Sequence, residues 1–171
     1  MKKNIVLTGF MGTGKTRVGR ELARMLGMRL VELDEEIEKA EGMAIKDIFS
    51  RHGEKYFRDR ETEMVKRFAE EEGLVISTGG GVVLREENMA ALRKKGLIVC
   101  LWAEPETILE RTSSSDERPL LNVQDPGKRI RELLEYRRPF YEKADITIRT
   151  DDKTPLEIAE EIARIYRGGH K

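Results

Sequence analysis

Gly9-Phe10-Met11-Gly12-Thr13-Gly14-Lys15-Thr16 fits the pattern G-x-x-x-x-G-K-[ST] at every fixed position. The chemistry of such a run is the holding of nucleotide phosphates. Its glycines let the backbone curl until several N–H groups point into one concavity, and a following helix adds its positive N-terminal end. In that arrangement Gly12, Thr13 and Gly14 cradle phosphate oxygens. Lys15 reaches the β- and γ-phosphates, and the Thr16 hydroxyl ligates Mg²⁺. The pattern predicts ATP with Mg²⁺ as the ligands. A glycine-rich turn that binds nothing would make Lys15 and Thr16 coincidences.

Other residue groups suit a second ligand. Ser77-Thr78-Gly79-Gly80-Gly81 carries three glycines where a turn needs one or two, which suits a ligand approaching the backbone closely. Asp34 is placed to accept a hydroxyl proton or bind a diol, and equally to cap a helix. Glu32 is within reach of Mg²⁺ through water, or is an ordinary strand-end carboxylate. Arg58 and Glu61 stand at i,i+3, so a solvated ion pair is the plain reading. Arg137 and Arg138 stand in a second arginine pair, and arginines from distant segments suit a substrate carboxylate. Residues 112–124 lack periodicity and are rich in turn formers. A loop of that length opposite a phosphate loop reads as a lid, with Arg118 clamping the phosphoryl group in flight; a solvated connection is the alternative. His52 and His170 have no metal-ligand spacing.

These residues need a frame. Strand-like runs occur at 4–8, 28–32, Leu74–Ser77, 97–102 and 146–150. Helical patterns lie between them. Val18, Leu22 and Leu26 follow the phosphate loop at helical spacing. A helix capped by Asp34 is expected to reach residue 40. Segments 44–51 and 54–72 read as helices parted by His52-Gly53, and 88–95 ends at Gly96. Pro105 opens a helix to about Thr112, and Thr154-Pro155-Leu156-Glu157 is a capping box with proline at N1. Such alternation predicts an α/β domain, a parallel sheet covered by helices on both faces. The chain has 171 residues, 32 basic and 32 acidic, so no net field draws it to nucleic acid or membrane. Its 37% charged content predicts a surface rich in ion pairs. Cys100, the one cysteine, reads as a small buried hydrophobe. The short apolar run after Met1 suits neither a signal peptide nor a span, so a cytoplasmic location is expected.

On these residues the chain resembles the shikimate kinases nearly end to end. Gly9 to Thr16 resemble the family's phosphate loop, and Ser77 to Gly81, with Gly79, Gly80 and Gly81, its glycine stretch near the substrate. Asp34 matches the aspartate that binds shikimate hydroxyls. Arg58 and Arg137 match the arginines that hold the shikimate carboxylate. Arg118-Pro119-Leu120-Leu121 resembles the lid signature, and Arg111 and Pro155 match positions flanking adenine. Phe49, Phe57 and Glu61 fall where the family's substrate-binding region keeps similar residues. Many members read Asp-x-Asp where this chain reads Glu32-Leu33-Asp34.

The resemblance implies one domain over residues 1–171, with a substrate-binding region at about 33–61 and a lid at about 112–124. It implies a P-loop NTPase fold with sheet order 2-3-1-4-5, as in nucleoside monophosphate kinases. The implied activity is phosphorylation of shikimate by ATP on the route to chorismate and aromatic amino acids; no feature of the sequence demands an interface, so a monomer is expected. Lys15, Asp34 and Arg118 would be catalytic, Thr16 and Glu32 would serve Mg²⁺. A gluconate kinase of the same shape and a non-catalytic ATP switch are the rival readings.

Overall fold

The computed structural model describes residues 2–113 and 123–169. Five parallel strands form one sheet: β1 (Asn4–Gly9), β2 (Arg29–Glu32), β3 (Leu74–Ser77), β4 (Gly96–Trp102) and β5 (Ile146–Arg149), in the order β2-β3-β1-β4-β5. The connections are helical: α1 (Lys15–Leu26), α2 (Leu33–Glu41), α3 (Ile45–Ala69), α4 (Glu86–Lys95), α5 (Pro105–Thr112), α6 (Pro126–Tyr141) and α7 (Pro155–Gly168), with a short 3₁₀ turn at Val82–Leu84. This is the expected P-loop architecture.

Strand periodicity divides the core. Val6, Ile76, Ile98 and Cys100 face one side and pack with Val65, Phe68, Met89, Leu92, Ile130 and Leu134 from α3, α4 and α6. Their alternates Ile5, Leu7, Val75, Val99 and Leu101 face the other side and pack with Val18, Leu22, Ile158 and Ile162 from α1 and α7. A parallel sheet buried on both faces needs such near-continuous apolar strands. A third cluster, Ile37, Ile48 and Phe57, joins α2 to α3 apart from the sheet.

Two local features differ from expectation. Asp34 does not cap α2. Glu32 occupies the N-cap position without a side-chain cap bond, and Asp34 lies in the first turn. The break expected at His52-Gly53 is present, since Gly53 leaves helical geometry at φ 85° and ψ 172° and kinks α3 there. No helix was expected at 126–141. Asp125 caps α6 by accepting from the Lys128 N–H, and Pro126 stands at N1, where its missing N–H costs nothing. The capping box at Thr154 and Glu157 forms as expected. Cys100 is buried as expected, and its thiol is pushed up to about 11 by burial. Among the described residues, no helix is long and apolar enough to cross a membrane.

Candidate active site

The loop between β1 and α1 turns on its glycines. Gly14 takes φ 97° just before α1, a left-handed conformation that side chains rarely adopt. Lys15 Nζ folds back over the loop and donates to the carbonyls of Gly9 (2.7 Å) and Phe10 (2.8 Å). The Thr13 hydroxyl also donates to Phe10 O, at 2.8 Å. The loop thus holds itself curled, with a cation at its mouth. Thr16 donates from its hydroxyl to Glu32 Oε2 at 3.0 Å, while Glu32 Oε1 is buried without a partner among the described residues. Burial raises the Glu32 carboxyl above its ordinary pKa, and the Thr16 hydrogen bond opposes this.

This loop forms one end of a cavity of about 950 Å³. The other end is bordered by Asp34, Arg58, Glu61 and Arg137, and the run from Ser77 to Gly81 forms its floor. The floor explains its own composition. A Cβ on Gly79 would lie 2.9 Å from Asp34 Oδ1 and 3.0 Å from Glu61 Oε2. A Cβ on Gly80 would lie 3.2 Å from Arg137 Nη1, and one on Gly81 would lie 2.4 Å from the Arg58 guanidinium. Each glycine therefore makes room for a charged side chain.

Arg58 and Glu61 are not the solvated pair that spacing alone suggests. Arg58 is buried and Glu61 fully so, with Arg58 Nη1 donating to Glu61 Oε1 at 3.0 Å. Glu54 makes a longer contact with the same guanidinium at 3.5 Å. Burial pushes the Glu61 carboxyl up to about 7, against the pull of Arg58 and with a push from Asp34. Asp34 is raised by burial too, a rise that Lys15 and Arg58 oppose. Arg137 is 2% exposed, and its Nε and Nη1 have no hydrogen-bond partner among the described residues. Its guanidinium lies 5.5 Å from the Phe10 ring centroid. Burying guanidinium N–H groups without acceptors is costly, and an anionic ligand removes the cost.

Arg111 borders the loop end. Its Nη1 donates to Gly12 O at 3.1 Å and to Thr150 Oγ1 at 3.3 Å, tying the loop to the end of β5. Pro155 lines the same end. Phe49 and Phe57 both line the cavity while packing in or against the α2–α3 cluster, so wall and core are one. Arg118 lies outside the described residues, as does most of the expected lid. The sequence reading missed Arg17 and Lys46, which also line the cavity. It assigned nothing to Tyr141, which donates to Gly80 O at 2.6 Å. Only its place one helical turn after Arg137 hinted at that contact.

Comparison with known proteins bears on this arrangement. The family model for shikimate kinase matches residues 11–167. The shikimate kinase of Thermodesulfovibrio yellowstonii is 55% identical over 164 residues, covering 96% of this chain and 95% of that protein. That of Caldanaerobacter subterraneus is 53% identical over 164 residues, covering 96% of each. Among solved structures, shikimate kinase from Acinetobacter baumannii in complex with shikimate superposes with a TM-score of 0.95 at 38% identity, covering 98% of this chain and 94% of that one. With a curled phosphate loop at one end of its cavity and two buried arginines at the other, the chain belongs to the shikimate kinase family.

Proposed function

We propose that this ATP-dependent kinase transfers the γ-phosphoryl group of ATP to the 3-hydroxyl of shikimate, with the residues of the 950 Å³ cavity in the following roles. The observation that carries the assignment is Arg137, a buried guanidinium whose Nε and Nη1 have no partner among the described residues and which lines the same cavity as Arg58 and Asp34. Gly12, Thr13 and Gly14 cradle the phosphates, and Lys15 neutralises charge on the transferring group. Arg111 and Pro155 flank the adenine. Arg58 and Arg137 bind the shikimate carboxylate, and Gly79, Gly80 and Gly81 let the ring approach the backbone. Arg118 clamps the phosphoryl group from a lid at about 112–124.

Asp34 orients the attacking hydroxyl and takes its proton as the new O–P bond forms. Its raised pKa brings it closer to the working pH of a general base, while Lys15 and Arg58 limit the rise. Phosphoryl transfer needs little covalent chemistry from the protein, so positioning and electrostatics dominate.

Mg²⁺ fits the pair Thr16 and Glu32. Among the described residues Glu32 Oε1 is a buried acceptor without a donor, beside a hydroxyl already oriented by Oε2. Mg²⁺ is commonly held by one or two protein oxygens, with water and phosphate filling its shell. When bound it neutralises phosphate charge. Glutamate is one methylene longer than aspartate and suits a contact through a bound water.

We also assign the chain to a single domain acting as a cytoplasmic monomer, with 33–61 as its substrate-binding region. A coupled ADP-release assay across shikimate, quinate, gluconate and nucleoside monophosphates tests the function. Shikimate should be the productive acceptor. Strong turnover only with another acceptor overturns the assignment. Light scattering at working concentration tests the monomer.

A further inference from the structure

Taking the arginine end of the cavity as the shikimate site, we propose that Tyr141 is a positioning residue for carboxylate recognition, its hydroxyl joining the Gly80 peptide to the Arg137 guanidinium. Tyr141 lies at the last position of α6, four residues after Arg137, so both project from one face of the helix. The ring is 2% exposed and does not line the large cavity. Its hydroxyl donates to Gly80 O at 2.6 Å. A phenol has one donor and two acceptor lone pairs, so its oxygen remains able to accept from a guanidinium N–H. Burial pushes the phenol up to about 12, against the charge and hydrogen bond of Arg137. The hydroxyl therefore stays a donor at any working pH.

Gly80 needs such a tether. It lies in a run of three glycines, which the chain does not stiffen by itself. A trans peptide points its C=O and the following N–H in opposite directions. Holding the Gly80 carbonyl on Tyr141 thus aims the Gly81 N–H the other way. The same anchor stands beside Arg137, whose Nη1 lies 3.2 Å from where a Gly80 Cβ would be.

Tyr141→Phe removes one oxygen and keeps the ring. The expected result is a rise of about tenfold in KM for shikimate, with KM for ATP unchanged and kcat lowered by much less, as expected for the loss of one buried hydrogen bond that acts on binding. Ile130→Val, a fully buried change on the same helix, serves as the control for packing. It should lower the melting temperature and leave both KM values alone. An unchanged shikimate KM in Tyr141→Phe, with an active wild type, overturns this inference alone. Equal rises in Tyr141→Phe and Ile130→Val overturn it as well, since packing would then suffice. A wild-type protein without shikimate-dependent ADP release overturns the acceptor assignment and this inference with it.

Discussion

Lys15 and Arg58 divide the proposed chemistry between them. Lys15 sits in its own loop, 2.7 Å from Gly9 O, where its charge is held at the mouth of the phosphate concavity. Lys15→Ala should abolish turnover and leave the fold intact. Near-normal turnover in that variant would remove the phosphate-loop assignment. Arg58 is a different case. It is buried against Glu61 and Gly81. Arg58→Ala should weaken shikimate binding by ~2–5 kcal/mol, much of it from a carboxylate left poorly paired. ATP affinity, measured by calorimetry on the same variant, should change little. Loss of both affinities together would indicate global damage instead. The proposed role of Lys15 was legible because a phosphate loop is written in residue type and spacing, whereas that of Arg58 came from likeness to a family. Burial was not legible. Spacing alone makes Arg58 and Glu61 a surface pair, and only the packing of α3 against the glycine floor takes them out of water.

At the scale of elements, the glycine floor after β3 and the helices α3 and α6 define the acceptor end together. Gly81 has φ −98°, which alanine adopts without strain, so a substitution there acts through space alone. The added Cβ would lie 2.4 Å from the end of the Arg58 side chain, a group able to shift. Gly81→Ala should therefore fold normally and raise the shikimate KM by displacing Arg58. Its effect should vanish once Arg58 is already alanine, because the two positions act on one contact. A double-mutant cycle measures this, and full additivity would count against the steric account. The same scale separates what could be read from what could not. Apolar runs announced all five strands to within about a residue or two, because a sheet covered on both faces demands them. Helix α6 was hidden. Its polar residues and its two prolines resemble loop composition, yet Pro126 starts the helix and Pro139 falls in its last turn, where the helix is about to end. Sheet order came from likeness to a family, since alternation fixes parallel strands but not their sequence across the sheet.

Across the whole molecule, the site is built against the interest of the fold. Asp34, Glu61 and Arg137 each bury a polar atom without a partner among the described residues. Glu61 makes the cost measurable. Burial pushes its carboxyl up to about 7 in the folded protein, against 4.5 for the free side chain. Between those values the folded state holds a proton that the unfolded state has released, so stability falls as pH rises. Below 4.5 both states are protonated and the penalty is absent; above about 7 it is fully present. For this shift the penalty is roughly 3 kcal/mol. This is opposite in sign to a carboxylate held ionised by a salt bridge, so Glu61 should not be counted as a stabilising ion pair. Glu61→Gln removes the titration, whatever constant offset its lost contact with Arg58 adds. Unfolding free energies of both proteins, measured from pH 4.5 to 8, should show wild type losing ground to the variant as pH rises and levelling off above about 7. A difference that stays flat across that range would mean that Glu61 remains ionised throughout, held by Arg58. Shikimate should act in the other direction. By giving acceptors to the Arg137 N–H groups, it should raise the melting temperature of wild type as binding to the native state alone requires.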